Sequence, residues 1–193
     1  MAVLTFVVDR RAPLHNFLQF GAVEDLVLAR RAPDFFGKCQ RRTAVSIRHA
    51  DQRCTRLCIE RYRSQFEPSP RQSEPRAIAA VGVVCAESDV EAEHIGAVYR
   101  AMGRRIRLGI RAPLPTPEEA VQELAQGPAP GGFSEGEWPR VFIGSPEKVK
   151  AELEVMAEAL GIDEIMAITI TYDHGHRVRS YELLAAAFGL QPR

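Results

Sequence analysis

The stretch that most limits how this chain folds runs from Val141 to the C-terminus. There, Val141-Phe142-Ile143-Gly144-Ser145-Pro146-Glu147 leads into a helical pattern, and Ile165-Met166-Ala167-Ile168-Thr169-Ile170-Thr171-Tyr172-Asp173-His174 leads into another. Each apolar run is short enough for a strand and is followed at once by polar residues able to start a helix, the form that consecutive βα units of a parallel sheet take in sequence. Ser145 is placed to cap, Pro146 suits the first turn, and Glu147 suits the positive end of the helix dipole. Val149, Leu153, Met156 and Leu160 recur at helical spacing before Gly161 ends that helix, and Val178, Tyr181, Ala185 and Phe188 mark the inward positions of the last one. Ligands of such α/β architectures meet the loops at the carboxyl ends of the strands, so Gly144-Ser145 and Thr171 to His174 are where chemistry is expected.

Upstream, the pattern is clear in places. Ala77 to Ala86 is almost continuously apolar, as in a strand covered on both faces. Ser88-Asp89-Val90-Glu91 fits a capping box, and the helix it starts runs to about Ile106. His94 falls one turn after Val90, a position for a packed or half-exposed side chain rather than a ligand. From Ala50 to Phe66 a helix is expected with Leu57, Tyr62 and Phe66 inward, stopped by Pro68-Ser69-Pro70. Residues 1–50 form a poorly defined N-terminal segment in which Val3 to Val8 fits a strand and Phe17 to Leu28 a short helix. The string Arg-Arg-Ala-Pro at 10–13 and 30–33 is coincidence in a chain rich in these residues, not a repeat architecture. Residues 51–193 read as one domain with a Pro/Gly-rich insertion at 107–140, inside which Thr116-Pro117-Glu118-Glu119 signals a short helix. An excursion of that length marks either a lid or binding loop, or a surface insertion.

The 193 residues suffice for one domain with a real core, but a complete βα barrel takes roughly 250. Net charge is zero, which gives no global attraction for nucleic acid or an anionic membrane. Residues 1–60 carry ten Lys/Arg against six Asp/Glu and the remainder fifteen against nineteen, but the arginines come in scattered pairs such as Arg10-Arg11 and Arg41-Arg42, as on a solvated surface. Cys39, Cys54, Cys58 and Cys85 show neither a zinc spacing nor a disulfide framework, so a reducing cytoplasm is expected. The opening residues lack a basic flank, and no apolar run reaches about 18 residues, so neither an export signal nor a membrane span is expected.

From Pro75 to Phe188 the chain resembles the bacterial luciferase-like flavin monooxygenases. The resemblance is carried by Ala77 to Ala86 followed by Glu87-Ser88-Asp89-Val90-Glu91-Ala92-Glu93, by Pro113 to Ala120, by Ile143-Gly144-Ser145-Pro146-Glu147-Lys148-Val149, and by Ile168 to His174 leading to Arg177-Val178-Arg179-Ser180-Tyr181-Glu182-Leu183-Leu184. The helix ending Glu60-Arg61-Tyr62-Arg63-Ser64-Gln65-Phe66-Glu67-Pro68-Ser69 extends it, so that it covers roughly residues 55–190. The resemblance implies a TIM barrel that uses reduced flavin mononucleotide, or in some branches a deazaflavin, with O2 to oxidise aldehydes, alkanes or other small organic substrates. What matches is similar to the C-terminal part of such a barrel, so the expected fold class is α/β, a partial (β/α) barrel with a parallel sheet and flanking helices. The early strands, which in the family supply much of the flavin pocket, have no counterpart read in residues 1–50. Three or four βα units do not close an eight-stranded barrel. An open edge and an uncovered face would then be covered by the N-terminal residues or by a second copy of the chain, a possible homo-oligomer. A truncated product of a longer enzyme fits the same pattern.

The candidate cofactor-binding residues are Gly144, Ser145, Thr171, Tyr172 and Asp173. Gly144-Ser145 could point backbone N–H groups at a phosphate or a carboxylate, or Ser145-Pro146 could simply cap the helix. His174 is the candidate catalytic residue, a proton carrier beside Asp173, although Asp173 also suits the cap of the last helix. Trp138 and Phe133 could cover a flavin ring or clamp the insertion to the body. Arg104, Arg105, Arg107 and Arg111 could meet a phosphate or serve the end of their own helix. The competing reading of the whole is a non-catalytic remnant that associates through its sheet edge.

Overall fold

Residues 52–70, 72–127, 138–139 and 141–190, with the strand segments 4–7, 27–28 and 45–47, are described by the computed structural model of the chain. Strands β1 (Leu4–Val7), β2 (Val27–Leu28) and β3 (Val45–Ile47) precede helix α1 (Gln52–Ser64). Then come β4 (Ile78–Cys85), α2 (Asp89–Leu108), α3 (Pro117–Ala125), β5 (Val141–Gly144), α4 (Pro146–Leu160), β6 (Glu164–Ile168) and α5 (His174–Ala187).

β4 is the centre of the sheet. It pairs in parallel with β6 over Ile78–Gly82, with β5 over Gly82–Cys85, and with β3 at Ile78 and Ala79. Gly82 is matched to Val141 of β5 and also to Ile168 of β6, and a residue meets one neighbouring strand per edge, so β5 and β6 flank β4 on opposite edges. β3 shares the edge of β5, nearer the start of β4, and β2 extends it in parallel. β1 runs antiparallel to β6, with Leu4 opposite Ala167 and Val7 opposite Glu164. The α/β class, the parallel strands and the flanking helices are those the sequence predicts, and among the described residues the sheet is open rather than closed into a barrel.

Two expectations for the N-terminal segment change. It supplies three short strands to the sheet, and β1 covers the edge of β6 that a closed barrel would use for another parallel strand. Val27 and Leu28 form β2 rather than the end of a helix, because pairing with β3 outweighs a weak local helical pattern. The rest of the expected helix, together with Cys39 and Phe133, lies outside the described residues.

Successive strand residues point to opposite faces, and two cores follow from that alternation. Val83, Phe142, Ile165 and Ala167 pack with Ile59 and Tyr62 of α1, with Val149, Leu153, Met156 and Leu160 of α4, and with Leu184 of α5. Val84 and Ile143 point the other way, onto Ala92, Ile95 and Tyr99 of α2. Helices therefore cover both faces, which keeps apolar strands out of water without barrel closure. A smaller cluster of Ala97, Val98, Ala101 and Ala120 joins α2 to α3. Gly82 is required where α2 comes closest, since a Cβ there would lie 2.6 Å from Cζ of Tyr99.

Two inward assignments are corrected. Leu57 is 62% exposed, and Ile59 takes its place. Ile59, Tyr62 and Phe66 share a face, whereas Leu57 stands about 140° round the helix from Tyr62 at ~100° per residue. Val178 is 42% exposed, and Ser180, Leu183 and Leu184 point inward from α5 instead.

Candidate functional site

The parallel register brings three turns to one rim. Cys85 of β4 is level with Gly144 of β5, and Ile168 of β6 is level with Gly82, so Ala86 to Asp89, Gly144-Ser145 and Thr169 to His174 all lie beyond the carboxyl ends of the strands. α5 is tied to two of those ends. The buried Ser180 hydroxyl accepts a hydrogen bond from the Cys85 N–H at 2.9 Å, and Tyr181 Oη accepts from the Thr169 N–H at 3.0 Å. Arg179 reaches the β4–α2 turn, where its Nε donates to Glu87 at 2.9 Å, and it also pairs with Glu182 at 3.1 Å. Burial pushes the Cys85 thiol up to about 12, with Glu147 and Glu87 adding to the shift, so it is a neutral packing group.

At the start of α4, Ser145 has the extended backbone of an N-cap, but its hydroxyl makes no capping bond to the helix. A second chain segment supplies the acceptor. The carboxylate of Asp89, at the start of α2, accepts from the Ser145 N–H at 2.7 Å. The Ser145 backbone and side-chain bonds, with Lys148 nearby, hold the Asp89 carboxyl below the usual carboxylate range.

At the β6–α5 turn, Thr171 is buried and its hydroxyl donates to the Asp173 carbonyl at 2.8 Å. Asp173 caps α5, accepting from the His176 N–H at 3.1 Å, and that bond lowers its pKa. Tyr172 projects, 56% exposed. His174 is exposed, and its Nδ1 lies 2.5 Å from a guanidinium nitrogen of Arg177. Arginine only donates, so Nδ1 accepts and a neutral ring carries its proton on Nε2. Thr169, 2% exposed, keeps a hydroxyl oxygen that is buried with no protein partner.

The structure thus gathers Gly144, Ser145, Thr171, Tyr172, Asp173 and His174 on one rim, and gives most of their polar groups protein partners. The other candidates stand elsewhere. Arg104 and Arg105 clasp the ends of α3 through Glu123, with Arg105 also donating to the Pro113 carbonyl and Arg104 to that of Gly127. Arg107 and Arg111 are exposed. His94 lies 3.4 Å from Glu118 on the surface. Trp138 is half-buried against the core beneath α4 and α5. Sequence reasoning passed over Asp89, Glu87, Arg179 and Ser180 as site residues, and local spacing carries no signal for them because their partners lie 56 to 95 residues away.

A flavin tests this rim in two ways. At the β6–α5 turn, the exposed Tyr172 ring offers a face to an aromatic ligand, whereas the unsatisfied Thr169 hydroxyl is buried inside the protein. At the α4 start, the Asp89 carboxylate already holds the Ser145 N–H, one of the backbone donors a phosphate would use there. Among the described residues, no cluster of three or more His, Cys, Asp or Glu is placed to hold a metal, and no helix is long and apolar enough to cross a membrane.

No protein-family profile matches the chain. YwcH of Bacillus subtilis (strain 168), itself uncharacterized, is 33% identical over 130 residues, which are 67% of this chain and 39% of that protein. A luciferase-like monooxygenase of Escherichia coli (strain K12) is 27% identical over 122 residues, 63% of this chain and 36% of that one. The crystal structure of apo-MsnO8 superposes with a TM-score of 0.70 and 39% identity, covering 78% of this chain and 46% of its own. The chain therefore spans about two fifths of the length of the curated relatives it matches. Over the stretch it shares with them, this chain is similar in sequence to a luciferase-like monooxygenase and in fold to MsnO8.

Proposed function

We propose that this chain forms the C-terminal part of a flavin-dependent monooxygenase, in which reduced FMN or a deazaflavin and O2 act on an aldehyde-like or other small organic substrate. The observation that carries the reading is the 27% identity, over 63% of this chain, with a luciferase-like monooxygenase of Escherichia coli (strain K12). The flavin, when bound, supplies the electrons for oxygen chemistry, and the protein positions it. Tyr172 would lie against the ring, Thr171 and Asp173 shape the turn that presents it, and the Nε2–H of His174 is a donor for a polar atom of the ring or substrate. Equilibrium dialysis of the purified chain against FMN and against a deazaflavin tests this. Retention that falls on Tyr172→Ala and His174→Ala is expected, and no retention of either flavin ends the enzyme reading.

The second reading, a non-catalytic chain that associates through its sheet, is favoured by one feature. β2, a strand of two residues, ends the strand order among the described residues and leaves an edge beyond it. An oligomer on size exclusion that retains no flavin supports that reading, and a flavin-binding monomer excludes it.

A further inference from the structure

At the α4 start a helix terminus and a glycine together suggest a phosphate seat, and a protein carboxylate stands there. Oδ1 of Asp89 is 2.7 Å from the Ser145 N–H. A Cβ on Gly144 would fall 3.0 Å from that same oxygen and 2.7 Å from Cδ of Lys148, so bare backbone at Gly144 is what lets the carboxylate and the lysine stem close over the turn. Ser145 does not cap α4 with its own hydroxyl. Asp89 instead holds the N–H of the cap residue itself, and as the first residue of α2 it also lies at that helix's positive end.

We propose that Asp89 is a built-in anion: it occupies the seat a flavin phosphate would take at Gly144-Ser145, and it pins the β4–α2 turn to the β5–α4 turn. The Ser145 N–H has one hydrogen to give, and it is given to Asp89. A phosphate brought to the same point would meet a carboxylate at contact distance, where like charges repel. The flavin phosphate of the proposed function is therefore bound by residues other than these two, and the candidate cofactor site contracts to the β6–α5 turn. The inference does not rest on that function, because a chain that binds no flavin would still carry Asp89 in this seat.

Amide spectra of the ¹⁵N-labelled chain test it, titrated first with inorganic phosphate and then with FMN, for the wild type, Asp89→Ala and Asp89→Asn. The Ser145 amide of the wild type is expected to stay still in both titrations and to shift saturably with phosphate in Asp89→Ala. Should Asp89→Ala fail to fold, Asp89→Asn decides: it removes the charge that repels phosphate and leaves only a neutral oxygen on the Ser145 N–H, which phosphate should displace, so that amide should respond. A wild-type Ser145 amide that titrates with phosphate or FMN overturns the proposal, and so does a folded variant with no response, because no seat was then being filled. FMN that moves the Tyr172 and His174 amides while Ser145 stays still supports both readings. FMN that moves no amide ends the flavin reading, while the phosphate titrations still decide the role of Asp89.

Discussion

Ser180 is the residue on which the rim's geometry leans most. Its hydroxyl is the acceptor for the buried Cys85 N–H. Ser180→Ala leaves that N–H without a partner in an apolar setting, and we expect a loss of about 1–3 kcal/mol in urea unfolding. A change within error would mean that water reaches the strand end. Asp89 and Asp173 act through charge. Both accept backbone N–H bonds at helix starts, and both have carboxyl groups held below their ordinary range. A carboxylate whose folded pKa is depressed contributes stability that is present above its unfolded value, ~3.9, and is lost as pH falls through the folded value. Asp89→Asn should therefore unfold at lower urea than the wild type at neutral pH, and the gap should close as the solution is acidified. A gap that persists unchanged at the acid end would show that the bond, not the charge, matters.

At the scale of elements, α3 is held by ion pairs as much as by packing. Glu123 receives Arg104 and Arg105, and all three side chains are largely buried. Glu123→Ala should cost about 1.5–3 kcal/mol, the range for hydrogen bonds to charged groups, and should raise hydrogen exchange in α3 ahead of the sheet. Uniform exchange changes would instead place α3 inside the global folding unit. The elements themselves were largely legible. β5, α4, β6 and α5 follow from local apolar spacing, Gly161 ends α4 in the left-handed conformation, and Thr116 with Glu119 forms the reciprocal capping box that their spacing announces. Pairings across the chain were not legible. Nothing near Val141 states that β5 and β6 flank β4 on opposite edges, and nothing near Ser88 states that Asp89 will serve a helix whose start is 56 residues away. The rim could be located, because strand ends can be counted, while the partners of its polar groups are set by tertiary contact.

For the whole molecule, the decisive feature is an open sheet finished by its own N-terminal strand. β1 covers the edge of β6 along Glu164 to Ala167. Removing the residues up to Val8 should expose that edge and shift the chain to larger species on size exclusion, increasingly so with concentration. A shortened chain that stays monomeric and equally stable would show that the edge needs no cover. The two cores also give the molecule an internal gauge. Its single tryptophan, Trp138, packs against the side built by α1, α4 and α5 and is absent from the cluster under α2. Indole emission consequently reports on one side of the sheet, whereas circular dichroism reports on both. Thermal melts followed by the two signals will superimpose if the layers come apart together, and will separate if the α2 layer peels away first.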